Sequence, residues 1–173
     1  DPASDLEIDQ SIDFGSTAAA FTGDMSADFT VEFEPSATAL EKEGKGYVVA
    51  SLGVDSGYVP YTSYSAKTSF LNENPQVIQS FTNALQKGMD YVQNHSPEEI
   101  AQMISPQFPE TDMDTLTTIV NRYYEQDTWK ENLVFEKDSF ELLQDILEGA
   151  GELEKRVDYE QLVTTEFANA AIN

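Results

Sequence analysis

Residues 14–53 read FGSTAAAFTGDMSADFTVEFEPSATALEKEGKGYVVASLG. The order predicted from this stretch is strand end, helix, strand, helix, strand. Two strand-to-helix junctions fall inside it. One is Asp13-Phe14-Gly15-Ser16-Thr17 and the other is Glu32-Phe33-Glu34-Pro35-Ser36. In an open α/β sheet, ligands bind in the crevice beyond the carboxyl ends of the strands, so both junctions are expected to face that crevice.

The evidence for these elements is periodicity. Phe29, Val31 and Phe33 alternate with Thr30, Glu32 and Glu34, which predicts a half-buried strand over 28–34. Leu6, Ile8 and Ile12 give the same period upstream, after an opening Asp1-Pro2-Ala3-Ser4-Asp5 that reads as a loop. Thr17–Phe21 is a short alanine-rich helix ending near Gly23. Pro35 suits the first position of the next helix, where no N–H is needed. That helix runs to about Glu43 and stops at Gly44 and Gly46. Tyr47–Leu52 is a short apolar strand of the kind covered on both faces. Gly53–Pro60 reads as a linker, and Tyr61–Ala66 as one further strand.

From Asn74 the pattern is helical. Val77, Ile78, Phe81, Leu85, Gly88 and Val92 form a stripe near period 3.6 over 75–93. Ser96-Pro97-Glu98-Glu99 is a capping box opening a helix to Ile104. Thr111 is expected to cap a helix carrying Leu116, Ile119, Val120 and Tyr123. Asp138 is expected to cap another carrying Phe140, Leu143, Ile146 and Leu147. A last helix is expected over 159–172. The chain thus divides into an α/β segment over 1–58 and a crossover strand with a helical part over 59–173. No internal repeat or low-complexity tract is present.

Composition excludes several functions. The formal net charge is −23, from 32 acids and 9 bases. Nucleic-acid binding needs a cationic surface, so it is not expected, and docking on anionic lipid is disfavoured. There is no cysteine, which removes disulfides, thiolate chemistry and Cys-based zinc sites. No apolar run approaches the roughly 18 residues of a membrane span. The single histidine, His95, is expected at a helix C-terminus, where a cation suits the helix dipole. No GxSxG, Walker A or GxGxxG motif occurs. An all-carboxylate calcium site is possible in so acidic a chain, but the acids show no EF-hand spacing. No cofactor and no catalytic group are expected.

The two junctions remain as candidate binding residues. Gly15, Ser16 and Thr17 form a turn whose glycine allows close approach and whose N–H groups can hold an anionic or carbonyl oxygen. Alternatively, Ser16 only caps its own helix. Glu34 can accept hydrogen bonds from an amino or ring N–H group, or it is a solvated carboxylate beside a helix dipole. Glu32 is read as solvated. Tyr61 and Tyr64 can stack on a flat ligand or can serve as core residues.

At these residues the chain resembles the NMT1/THI5-like substrate-binding proteins of ABC transporters. The resemblance rests on SIDFGSTAAAFTGD, on ADFTVEFEPSATALEKEGKGYVVASLG, on VPYTSYSAKTSFLNENPQVIQSFTNALQKGMDYVQNHSPEEIA, and on the closing LLQDILEGAGELEKRVDYEQLVTTEFANAA. It covers nearly the whole chain, and FEP followed by LEKEGKGYVVAS is its most specific part. It implies a type II periplasmic-binding-protein fold, here partial: the later part of lobe II over 1–58, then the C-terminal helical part of lobe I. Members run to roughly twice this length. The resemblance therefore implies an absent front half that holds the export signal, the first lobe's sheet and the start of the second lobe. Apolar surface is then expected to be exposed, with a homodimer of the truncated chain as one remedy. The implied function is capture of a small ligand in an interlobe cleft and delivery to an ABC permease and ATPase, outside the cytoplasm, in the periplasm or on a cell-surface lipoprotein. Candidate ligands are a thiamine-precursor pyrimidine, another flat heterocycle or a sulfonate; Glu34 favours one with donor groups. The alternatives are a ligand-sensing receptor domain of the same fold and a pyrimidine-synthase-like enzyme. The enzyme reading lacks the cysteine-rich motif and histidines of the fungal relatives.

Overall fold

The computed structural model describes residues 5–24 and 26–172. The expected loop at 1–4 lies outside them. Among the described residues the structure is mostly helical and contains no strand. The helices used below are α1 (Thr17–Gly23), α2 (Ser36–Lys42), α3 (Leu52–Asp55), α4 (Thr68–Glu73), α5 (Pro75–Asn94), α6 (Pro97–Ile104), α7 (Met113–Glu125), α8 (Lys137–Gly149), α9 (Tyr159–Leu162) and α10 (Glu166–Ala171).

The core lies in the helical part. The residues that the 3.6 period placed on one side of α7, Leu116 and Val120, meet Ile100 and Ala101 of α6. Tyr91 and Val92 of α5, Ile104 and Trp129 close around them. The start of α6 is fixed as expected. Ser96 accepts from the Glu99 N–H, and the Glu99 carboxylate accepts from the Ser96 N–H, so two orphan donors are satisfied reciprocally. At the other end of the helical part, α10 packs on α5 and buries Phe167 and Ala168. Gln79 of α5 donates to the Phe167 carbonyl at 3.0 Å. Arg156 lies along α8, bonded to Glu141 at 2.8 Å and Asp145 at 2.5 Å.

Some boundaries differ from expectation. The cap of α7 is Asp112, not Thr111: its carboxylate accepts the Thr115 N–H at 2.9 Å. Helix α8 begins at Lys137 without a side-chain cap, so Asp138 lies inside it. The expected last helix is two short ones, α9 and α10. Between them run Val163, Thr164 and Thr165, whose β-branched side chains crowd a helical turn. The expected linker at 53–60 holds α3, capped by Ser51, and then turns at Gly57, whose φ of 85° is a left-handed conformation that glycine adopts without strain.

The expected strands are the main correction. The segments 6–12, 28–34, 47–52 and 61–66 are non-helical apart from Leu52, which opens α3, and they form no ladder with one another. A strand exists only through hydrogen bonds to a neighbour, and two-stranded pairs are marginal even then. The apolar run expected to be covered on both faces is open: Tyr47 is 82% and Val49 90% exposed. Phe29, Val31, Leu6 and Ile8 are likewise exposed.

Candidate functional site

The two junctions come together. A cavity of about 150 Å³ has Phe14, Gly15, Thr17 and Ala18 on one side. Glu32, Phe33, Glu34 and Ser36 form the other. The first side is a single 3-10 turn, Phe14–Ser16, running into α1. The turn closes through the Ser16 N–H, which donates to the Asp13 carbonyl at 2.8 Å. The Thr17 hydroxyl donates back to the Phe14 carbonyl at 3.2 Å. Ser16 makes no side-chain cap and is exposed beside the cavity. A Cβ at Gly15 would meet nothing within 4 Å, so the approach to the turn is open.

Two aromatic rings, Phe14 and Phe33, line the cavity. Phe14 meets Phe33 edge-on at 4.9 Å, and Tyr61 lies tilted against Phe33 at 5.5 Å. Such pairs hold each other's orientation while leaving ring area open, and Tyr61 is still 78% exposed. Tyr64 is not part of this group. It packs edge-on against Phe81 of α5 at 5.0 Å. Gly15, Thr17 and Glu34 therefore line the cavity, with Ser16 and Tyr61 beside it, and Tyr64 stands apart.

Glu34 is the most enclosed of these side chains, at 5% exposure. One carboxylate oxygen accepts the Thr38 N–H at 3.0 Å. The other accepts the Thr38 hydroxyl at 3.0 Å and the Arg122 guanidinium. The second terminal nitrogen of Arg122 donates to Glu41 at 2.5 Å, and Glu41 accepts the Val48 N–H at 2.9 Å. Arg122 of α7 thus clamps both ends of α2. The Val48 N–H and then the Arg122 guanidinium hold the Glu41 carboxyl below its ordinary range. Burial pulls Arg122 down, but the two carboxylates outweigh it and its pKa is raised. A second link joins the same helices: Lys42 bonds Asp114 at 3.0 Å and the Thr115 hydroxyl at 2.6 Å.

Arg122, Thr38 and Glu41 did not emerge from sequence reasoning. The one available signal was scarcity: Arg122 is one of two arginines in a chain with 32 acids, so each is expected to attract carboxylates. His95 is where it was expected, at the end of α5. Its Nδ1 is 2.8 Å from the Tyr91 carbonyl and its ring stacks on Tyr91 at 3.7 Å. Among the described residues no group of acids or histidine is arranged to hold a metal ion. No described helix is long and apolar enough to cross a membrane.

No family model matches the chain, and no solved structure matches it. The chain is similar to a protein of Bacillus subtilis (strain 168) whose name is "Putative binding protein YtlA", with 39% identity over 168 residues. The alignment covers 97% of this chain and 50% of that protein, so the chain spans about half the length of the curated relative it matches.

Proposed function

We propose that this chain supplies one wall of the ligand cleft in an extracytoplasmic solute-binding protein that serves an ABC importer. The single observation carrying this reading is the convergence of the two junctions, Phe14–Ala18 and Glu32–Ser36, on one cavity lined by Phe14 and Phe33, with Tyr61 against Phe33. Polar groups converging in a small cavity with aromatic walls are the usual makings of a small-molecule site. The binding-protein name of the Bacillus relative supports the same reading. On it, the fold is that of a type II periplasmic binding protein of the NMT1/THI5-like kind. Residues 1–58 belong to one lobe and 59–173 to the crossover and helices of the other. The segments 28–34 and 47–52 acquire strand partners in the longer protein, which covers the exposed Val31 and Val49. The permease and ATPase are the partners that receive the closed, loaded form, and the role requires no bond to be made or broken.

The test is binding by the full-length protein. Native mass spectrometry of purified protein is expected to reveal a co-purifying small molecule. Protein stripped of it is expected to gain thermal stability from a member of a panel of flat heterocycles, aromatic amines and sulfonates. A compound at a hundred times its Kd adds about 2.7 kcal/mol. Alanine at Phe33 or Tyr61 should remove most of that gain. A panel without effect, together with no co-purifying molecule, refutes the reading.

A further inference from the structure

Two carboxylates line the cavity, and the structure treats them differently. Both oxygens of Glu34 are engaged from within the protein, by Thr38 and Arg122, and its side chain is nearly enclosed. Glu32 is half-buried. Its one hydrogen bond among the described residues comes from the Thr30 hydroxyl, which reaches a single oxygen at 2.8 Å. That bond orients the carboxylate and leaves the second oxygen for an incoming donor.

We infer that Glu32 is the carboxylate that reads the ligand in this cavity, that it selects a small alkylammonium bearing an aromatic ring, and that Arg122 is the positioning residue that takes Glu34 out of that role. The inference rests on the binding reading above and makes it more specific. The charge around the cavity supports it. Arg122 faces two carboxylates, Glu34 and Glu41, so one negative charge remains uncompensated there, and Glu32 adds another. An anionic ligand would enter against this field, whereas a cation enters with it. Arg122 is turned to Glu34, Thr38 and Glu41 and is not among the residues that line the cavity, so it offers an anion no direct contact there. The lining adds a second attraction, since an aromatic ring such as Phe14 or Phe33 favours a cation over its face by its quadrupole. A cavity of about 150 Å³ has room for a single aromatic ring.

The experiment uses two probes of similar size and opposite charge, benzylammonium and benzenesulfonate, titrated into the full-length protein at neutral pH and followed by NMR. The wild type is expected to bind benzylammonium and to disfavour benzenesulfonate. Glu32→Gln should weaken benzylammonium by about tenfold or more, because a charge-assisted bond is lost. Glu34→Gln should weaken it by no more than about threefold in protein shown to be folded by circular dichroism. Adding Arg122→Met to Glu32→Gln removes the cation that compensates Glu34, leaving an unpaired negative charge that lines the cavity, and should recover part of the lost affinity, whereas adding Arg122→Lys should not. That rescue is a readout a merely structural arginine does not give. If Glu34→Gln abolishes binding and Glu32→Gln leaves it intact, the inference is overturned and the cavity remains a site. Equal binding of both probes, or a preference for benzenesulfonate, also overturns it while leaving the cavity a site. If the wild type binds neither probe, the cavity reading itself falls and takes this inference with it.

Discussion

Arg122→Met is the substitution with the largest consequence readable from the structure. It removes the one guanidinium that faces Glu34 and Glu41. Glu41 is 29% exposed and can turn toward water, but Glu34 is 5% exposed and cannot. Removing one partner of a buried pair costs about 3–5 kcal/mol, because the other charge stays buried without compensation. The two bonds from Thr38 remain and continue to satisfy the Glu34 oxygens, which places the cost near the lower limit, at about 3 kcal/mol. For a chain of this length that corresponds to a fall in melting temperature of about 6–12 °C. The assay is equilibrium unfolding in urea followed by fluorescence. The chain has a single tryptophan, Trp129, and it packs against the cluster of α6 and α7 beside the Arg122 helix. Glu34→Gln added to Arg122→Met should recover about 2 kcal/mol, since the uncompensated charge is then gone. A loss below about 1 kcal/mol for Arg122→Met, with no recovery in the double variant, would show that the clamp behaves as an ordinary surface pair and would refute the reasoning.

Three further outcomes follow from the helical part. Leu116→Ala, at a position 2% exposed within the cluster of α6 and α7, should cost about 3 kcal/mol by urea unfolding, the usual range for a buried leucine that leaves a cavity. Ser96→Ala removes half of the α6 capping box and should cost about 1 kcal/mol, with faster amide exchange at Glu99 than in the parent protein. Asp112 is held down to about 2 from an ordinary 3.8, first by the Thr115 hydroxyl, then by the Thr115 N–H. A depressed carboxylate contributes stability that is complete above its unfolded value and is lost as pH falls through its folded one. The wild type should therefore lose that contribution between about pH 4 and pH 2, while Asp112→Asn, which has no charge to lose, should show a shallower acid limb in a thermal melt.

The elements legible in the sequence are those whose stabilising contacts are local. The α6 box needs only residues 96–99, and the α5 and α7 helices need only their own period, although Val77 and Phe81 of the expected α5 stripe are exposed and the buried residue of α5 is Gln86. The two junctions were expected together as the crevice of an open sheet; they do line one cavity, but among the described residues no sheet brings them there. The strands were half legible. Alternation names the side that seeks burial, at Phe29, Val31 and Phe33, but not the neighbour that provides it: Phe33 meets Phe14 and Tyr61, while Phe29 and Val31 remain exposed. The cap of α7 was missed by one residue because Thr111 and Asp112 are both good caps, and only the reach of a carboxylate to the Thr115 N–H decides between them. The Arg122 clamp was illegible for another reason: it joins residues 88 apart, and no local pattern encodes such a pairing.

The same clamp explains why Glu32 and Glu34 differ, although alternation places them on one face. Two residues along an extended chain advance a side chain by about 6.5 Å. A guanidinium that reaches Glu34 and, with its other nitrogen, Glu41 on the next helix is then too far along to serve Glu32 as well. Glu34 lies at the entry to α2, where the Thr38 N–H and hydroxyl are also within reach. Glu32 lies one step back, where its neighbours are Thr30 and the open cavity. The residue between them, Phe33, also lines the cavity and meets Phe14 and Tyr61. One short stretch thus supplies a structural carboxylate, an aromatic wall and a free carboxylate in consecutive positions. The division of labour is set jointly by α2 and α7: Thr38 and Arg122 together engage both oxygens of Glu34, and neither reaches Glu32.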